Sequence, residues 1–278
     1  MLNKLNLHQN YVIIGSMATY NDKKLKILLD SRKDGAVYLA PWLEKKGISR
    51  DLQQYYCKSG WIEPIGRGAF KRPNDDIGWQ DALQALINQA SLNVHVGAMT
   101  ALSQQGAGHY VRLGKEKVYL FSPSGGALPA WFKGYDWGVG IEHIKTNFLP
   151  TDEATGTAFN GQPDSGKEFS TKMFSSPERA LLECLYLAPK RQDLVECYQV
   201  MEGLVNLRPK VVQELLEACS SIKVKRLFLY MAEKAGHQWF QYLDLSKVTL
   251  GKGDRSIVKN GVYIAKHKIA VPKELEAL

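Results

Sequence analysis

Arg50, Gln53 and Gln54 fall within about one helical turn of each other, and arginine and glutamine are the side chains whose donors and acceptors match guanine and adenine edges in a major groove. Lys58 stands one further turn along, where it could meet a phosphate. A helix over Arg50–Lys58 would carry all four. Ser49 is placed to cap it, its hydroxyl accepting a backbone N–H, and Gly60 to close it. Leu52, Tyr55 and Tyr56 repeat at i, i+3 and i+4, so this reading turns them to the interior and leaves Arg50, Gln53, Gln54 and Cys57 on the exposed face.

Such a helix needs a platform. Pro41 can open a preceding short helix with Trp42 and Leu43 on its apolar side, and Gly47 ends it. Beyond Gly60, Trp61–Ile65 and Ala69–Arg72 are expected as two short strands joined by Gly66-Arg67-Gly68, a tight hairpin with Arg67 at its tip and Lys71 and Arg72 on its second strand. An amphipathic helix over Asp22–Ser31 and a strand over Ala36–Tyr38 come before. The order helix, strand, helix, helix, hairpin is that of a winged helix-turn-helix, with Ser49, Arg50, Gln53, Gln54, Lys58, Arg67, Lys71 and Arg72 as candidate DNA contacts. A helical pair with ordinary solvated charges is the plain alternative. From Ala40 to Pro73, however, seven lysines and arginines face three acids, which places positive charge where phosphates would lie.

Here the residues carry a resemblance. The runs ISRDLQQYYCKSGWIEPIGRGAFKRP, NVHVGAMTALSQQGAGHYVRLG, LFSPSGGALPAWF and LGKGDRSIVKNGVYIAKHKIAVPKEL are similar to AbiEi-type antitoxins of bacterial type IV toxin–antitoxin systems. The resemblance implies a winged-helix domain that binds double-stranded DNA at inverted repeats in its own promoter and represses its operon. It further implies a second domain that counteracts a nucleotidyltransferase-like toxin without a stable complex between the two. The oligomeric state stays open.

The expected fold is therefore α+β. Residues 1–92 form the winged helix-turn-helix, including a helix over 79–90 that bridges to the next domain, and residues 93–278 form a mixed α/β antitoxin-type domain with a helical second half and a C-terminal β-hairpin. Trp79, Ala82, Leu83, Leu86, Ile87 and Ala90 give the bridging helix an unbroken apolar stripe. A strand at Val94–Val96, a helix near Ala98–Gln104 and a buried strand at Val118–Phe121 follow. Residues 150–167 read as a loop and 168–174 as extended, while Ser176 and Pro177 mark a helix start. Further helices are expected over Asp193–Leu207, Lys210–Cys219 and Ile222–Lys234. Asn260-Gly261 suits a type I′ turn between strands at Ile257–Lys259 and Val262–Ile264.

The net charge of +8 and pI near 9.1 call for an anionic partner. No apolar run reaches the roughly 18 residues of a membrane helix, so no membrane partner is expected and the chain reads as cytoplasmic. From Ile222 to Lys273, eleven bases face three acids, which makes Lys252, Arg255, Lys259, Lys266 and Lys268 a second basic surface, serving either antitoxicity or DNA. No cofactor or metal is expected, because Cys57, Cys184, Cys197 and Cys219 are irregularly spaced and the histidines have no ligand spacing.

Enzymes are the rival class. Gly15-Ser16 is not followed by the Asp-x-Asp that a nucleotidyltransferase uses to clamp magnesium, Ser170 stands where a nuclease would place lysine after Asp164 and Glu168, and Gly251-Lys252-Gly253 is too short for a phosphate loop. His95 and His109 lack a marked nucleophile and read as structural, and Trp131, Phe132, Tyr135 and Trp137 as core aromatics rather than base-stacking ones. The remaining rivals are a stand-alone winged-helix regulator without antitoxin activity and a reader of RNA.

Overall fold

A computed structural model describes residues 36–106, 116–150 and 173–278, with Lys24 and Lys26 in helical conformation. The rest of the expected first helix, the 150–167 loop beyond Pro150, the extended segment before Met173, and His109 lie outside the described residues. The chain forms two units. The first comprises the described residues up to Leu92 together with Pro129–Trp137, and the second Asn93–Leu128 with Gly138–Leu278.

The first unit is built on a three-stranded antiparallel sheet. β1 (Val37–Leu39) pairs with β3 (Ala69–Lys71), which pairs in turn with β2 (Glu63–Gly66), so the sequence-distant β1 lies at one edge. All three β1 residues are buried. Between β1 and β2 run α1 (Ala40–Lys45), with Pro41 in its first turn, and α2 (Arg50–Lys58). After the hairpin, α3 (Trp79–Ala90) lays Ala82, Leu83 and Leu86 against this core. Gln89 of α3 finishes the free edge of β1, its Oε1 accepting from the Leu39 N–H at 2.9 Å and its Nε2 donating to the Val37 carbonyl at 2.7 Å. An edge strand must satisfy its outward groups, and here one buried side chain does so.

In the second unit β4 (His95–Val96) runs antiparallel to β5 (Lys117–Ser122), and β5 runs parallel to β6 (Gly140–Lys145). Val118–Ser122 are buried, as the near-continuous apolar run of a covered parallel strand requires. The chain between β5 and β6 contains α5 (Ala130–Gly134), which belongs to the first unit and packs on β2. That excursion adds Pro129–Trp137 to the first unit. Its reason is Trp131, which lies so close to Gly66 that a Cβ there would come within 2.5 Å of the Trp131 Cβ.

The helical half follows the capping signals. Ser176 caps α6 (Pro177–Leu187), Asp193 caps α7 (Leu194–Gly203), and Ser221 caps α9 (Ile222–Ala235), each side-chain oxygen accepting a backbone N–H of the first turn; α8 (Pro209–Ala218) starts at a proline. α4 (Ala98–Ser103) packs on α6, and Glu183 of α6 ties the two to the sheet. Fully buried, Glu183 accepts from the Ala98 N–H, the Ser175 hydroxyl and the Arg179 Nε, and its Oε1 stands 2.8 Å from His95 Nε2. Burial alone would raise this carboxyl. The His95 ring, Arg179 and the Ala98 amide outweigh it and hold the group below its ordinary value.

The C-terminal strands differ from the expected hairpin. Ile257–Lys259 forms no strand; β7 (Arg255–Ser256) pairs in parallel with β9 (Ile269–Val271), and β8 (Val262–Ile264) pairs antiparallel with β9 through the turn at Ala265–Lys268, before α10 (Lys273–Ala277). Arg226 braces this arrangement. Only 1% exposed on α9, it donates to the carbonyls of Leu250, Gly251, Gly253 and Lys268, which fixes the chain on both sides of β7.

Candidate nucleic-acid interface

α2 begins where its sequence says it should. Ser49 is extended, and its hydroxyl oxygen accepts from the Leu52 N–H at 3.4 Å. Asp51 in the first turn and Lys58 in the last complement the helix dipole. Gly60, at φ +72°, takes the left-handed conformation that lets the chain leave the helix.

The buried face of α2 is not the expected one. Gln53 and Tyr56 are each 3% exposed, whereas Tyr55 is 56% exposed and Leu52 half-buried. Gln53 therefore does not stand on the base-reading face: its Nε2 donates to the carbonyls of Ala40 at 3.2 Å and Ile48 at 2.9 Å, pinning α2 to α1. The physical reason is that the carbonyls of Ala40 and Ile48 face α2, and an amide donates to both where an apolar side chain would donate to neither. The exposed face is instead Arg50, Gln54, Tyr55 and Lys58.

Arg50 donates through Nε to Glu44 at 2.7 Å, but its side chain is 75% exposed, and such an exposed pair contributes only about 0–1 kcal/mol. Its terminal nitrogens remain for a ligand. Beside this face lies the β2–β3 hairpin, and the groove between them has a volume of about 380 Å³, lined by Arg50, Gln54, Cys57, Lys58 and, though nearly buried, Gln53 on one side and by Gly68 and Phe70 on the other. Arg67 is exposed at the tip. Gly68 holds φ +78° there, and its carbonyl accepts from the Ala40 N–H at 2.9 Å, which fixes the hairpin to the start of α1.

Lys71 and Arg72 have other partners. The Lys71 ammonium donates to Glu63 at 2.8 Å and to the Asp75 carbonyl at 2.9 Å, and Arg72 grips both Asp75 oxygens, at 3.1 and 3.4 Å. The bond to Glu63 holds Lys71 above its ordinary value, and the bond to Asp75 does the same for Arg72. Both are half-buried braces of the hairpin, so of the three basic residues expected on it Arg67 alone is presented to solvent.

The second basic surface divides similarly. Lys252, Arg255 and Lys259 are exposed. Lys266 and Lys268 are exposed as well; Lys266 pairs with Glu233, while only the backbone carbonyl of Lys268 is taken, by Arg226, and its ammonium has no partner among the described residues. Trp131, Phe132, Tyr135 and Trp137 pack on one another within the first unit. The residue whose exposure sequence reasoning missed is Tyr55, which stands on the open face with Arg50, Gln54 and Lys58. An aromatic at i+3 from Leu52 and i−1 from Tyr56 fits either face of the helix, so periodicity alone could not place it.

Among the described residues, no group of three or more His, Cys, Asp or Glu is placed to hold a metal ion, and no helix is long and apolar enough to cross a membrane. The four cysteines are free thiols.

Sequence comparison says what class of protein these two units make up. Residues 21–113 match the family described as "Transcriptional regulator, AbiEi antitoxin N-terminal domain", and residues 115–272 match "Transcriptional regulator, AbiEi antitoxin, Type IV TA system". The chain belongs to the AbiEi antitoxin family of transcriptional regulators. No curated protein matches it. Among solved structures it is similar to the RV2827C protein from Mycobacterium tuberculosis, at 12% identity and a TM-score of 0.58, over 87% of this chain and 89% of that one, a likeness of fold.

Proposed function

We propose that the first unit is a winged helix-turn-helix, with α2 the recognition helix and the β2–β3 hairpin the wing, and that it represses transcription of its own operon by binding duplex DNA at inverted repeats. The single observation that carries this reading is the groove in which Arg50, Gln54 and Lys58 face the hairpin, with Arg67 at its tip. In this reading Arg50 and Gln54 meet base edges, while Ser49, Lys58 and Arg67 meet the sugar-phosphate backbone or the minor groove. Family membership supports the second half of the proposal: the second unit counteracts a nucleotidyltransferase-like toxin, in the cytoplasm, with no chemistry of its own and without a stable complex.

Arg50→Ala tests the assignment by fluorescence anisotropy on promoter and random duplexes. One bidentate base contact discriminates by about 1–3 kcal/mol, so promoter binding should fall roughly tenfold to a hundredfold while random DNA changes little. Arg67→Ala should weaken both duplexes alike and flatten the salt slope by about one unit. An equal loss on both DNAs for Arg50→Ala would remove α2 from the major groove.

A further inference from the structure

The second unit holds a basic cleft of its own. β6 brings His143 and Lys145 to it, the end of α6 and the turn that follows bring Tyr186, Lys190 and Arg191, and α9 brings Lys223. They line about 650 Å³, a ligand-sized volume, and no carboxylate is among the lining residues. Lys145, Lys190 and Arg191 are exposed and make no ion pair among the described residues.

Lys223 forms the floor. Its ammonium donates to the Tyr186 carbonyl at 2.8 Å and the Ala188 carbonyl at 2.5 Å, which leaves one of its three N–H donors unspent. Burial lowers its affinity for its proton; Cys197 opposes that shift and Lys190 adds to it. Lys223 also lines an adjoining space of about 290 Å³ with Arg255, Ser256 and Ile257, so the cations run on from the cleft as a track. The Tyr186 ring is stacked on Phe148 at 4.2 Å and lies under Lys223, which leaves the cations as the recognising groups rather than an open aromatic platform.

We propose that this cleft is a second anion site, taking the phosphates of a single-stranded nucleic acid or a nucleotide, and acting independently of the duplex-binding face. A concave, two-lobed space suits a strand or a mononucleotide, and a track of lysines and arginines follows a phosphate chain without reading bases. Nothing in this proposal rests on the reading of α2.

The test uses the full chain and a fluorescein-labelled 12-nucleotide oligouridine, with unlabelled RNA, ATP and polyglutamate as competitors. In the triple variant Lys145→Ala/Lys190→Ala/Arg191→Ala, RNA affinity should fall about tenfold or more, and the salt slope by about two units at roughly 0.7 per lost single-strand phosphate contact. Its promoter binding and thermal midpoint should match the wild type, which shows that it folds, and Arg67→Ala should bind the RNA as the wild type does. Displacement of RNA by ATP supports a nucleotide as the source of the phosphates; displacement by RNA alone supports a strand backbone. Equal RNA affinity in wild type and triple variant, no binding of either probe to the wild type, or displacement by polyglutamate as readily as by unlabelled RNA would overturn the proposal.

Discussion

Two adjacent glutamines on α2 should fail in opposite ways when altered. Gln53 is buried and spends its amide on two carbonyls, whereas Gln54 is exposed in the groove beside the hairpin. Replacing Gln53 by methionine keeps most of its volume but removes both hydrogen bonds and leaves the Ala40 and Ile48 carbonyls short of a donor. At about 0.5–1.5 kcal/mol net per bond, and 1–3 kcal/mol for a buried group left unsatisfied, the loss comes to roughly 2–4 kcal/mol. For a unit of this size each kcal/mol moves the thermal midpoint by about 4–8 °C, so Gln53→Met should lower it by at least about 8 °C. Gln54→Met should leave the midpoint within about a degree and instead reduce promoter binding roughly tenfold to a hundredfold, with little effect on random duplex. Differential scanning calorimetry and anisotropy on the same preparations separate the two outcomes. A Gln53→Met protein that melts like the wild type yet loses promoter discrimination would show that Gln53 leaves its two carbonyls to read a base, and the buried-face assignment of α2 would be wrong.

Two further perturbations address the second unit. Arg226→Met removes the fork that holds the carbonyls of Leu250, Gly251, Gly253 and Lys268, and at about 1.5–3 kcal/mol per charge-assisted bond it should release the C-terminal sheet; amide exchange over 255–271 should accelerate sharply, and unchanged protection there would refute Arg226 as its anchor. Glu178 is buried, which would raise its carboxyl, but its bonds to Arg208 hold it below the ordinary 4.5. A depressed carboxylate adds stability that is present above that value and lost as pH falls through the lowered one. Denaturant titrations should therefore show stability falling below about pH 4.5, and Glu178→Gln should flatten that part of the profile; an identical profile for the variant would exclude the pair.

The elements that were legible in the sequence are those whose local chemistry and tertiary role agree. Ser49 and Ser176 cap the helices they precede, and the apolar run at Val118–Phe121 is a buried strand. Where the two disagree, the pattern misled. Asn260-Gly261 has the composition of a two-residue hairpin turn, and Asn260 does take a positive φ of 56°, yet Ile257–Lys259 forms no strand: Arg226 bonds the Gly253 carbonyl, and β9 pairs with β7 and β8 instead. A contact that spans 27 residues leaves no trace in a window of ten. Gln53 is the same lesson in the candidate site: a polar residue at a core position is recognisable only once the carbonyls it satisfies are known.

Segment charge misled for a related reason. The stretch from Ile222 to Lys273 has eleven bases against three acids, but Arg226 is spent on backbone carbonyls, Lys223 partly so, and Lys266 on Glu233. The middle of the chain, Val94 to Ser221, has twelve bases against fourteen acids, yet it supplies Lys145, Lys190 and Arg191 to the basic cleft. The difference lies in where the unpaired charges gather. Glu183 pairs with Arg179 and His95, and Glu178 with Arg208, which removes two acids and two bases of the segment together and leaves its balance unchanged; the cleft is positive because Lys145, Lys190 and Arg191 gather where no carboxylate lines it. Only exposed, unpaired charge sets the field an approaching polyanion meets, because a paired buried carboxylate and its partner present little net charge at a distance. A net-negative segment can thus form a positive cleft, and residues that a segment sum passes over can be the ones positioned to bind phosphate.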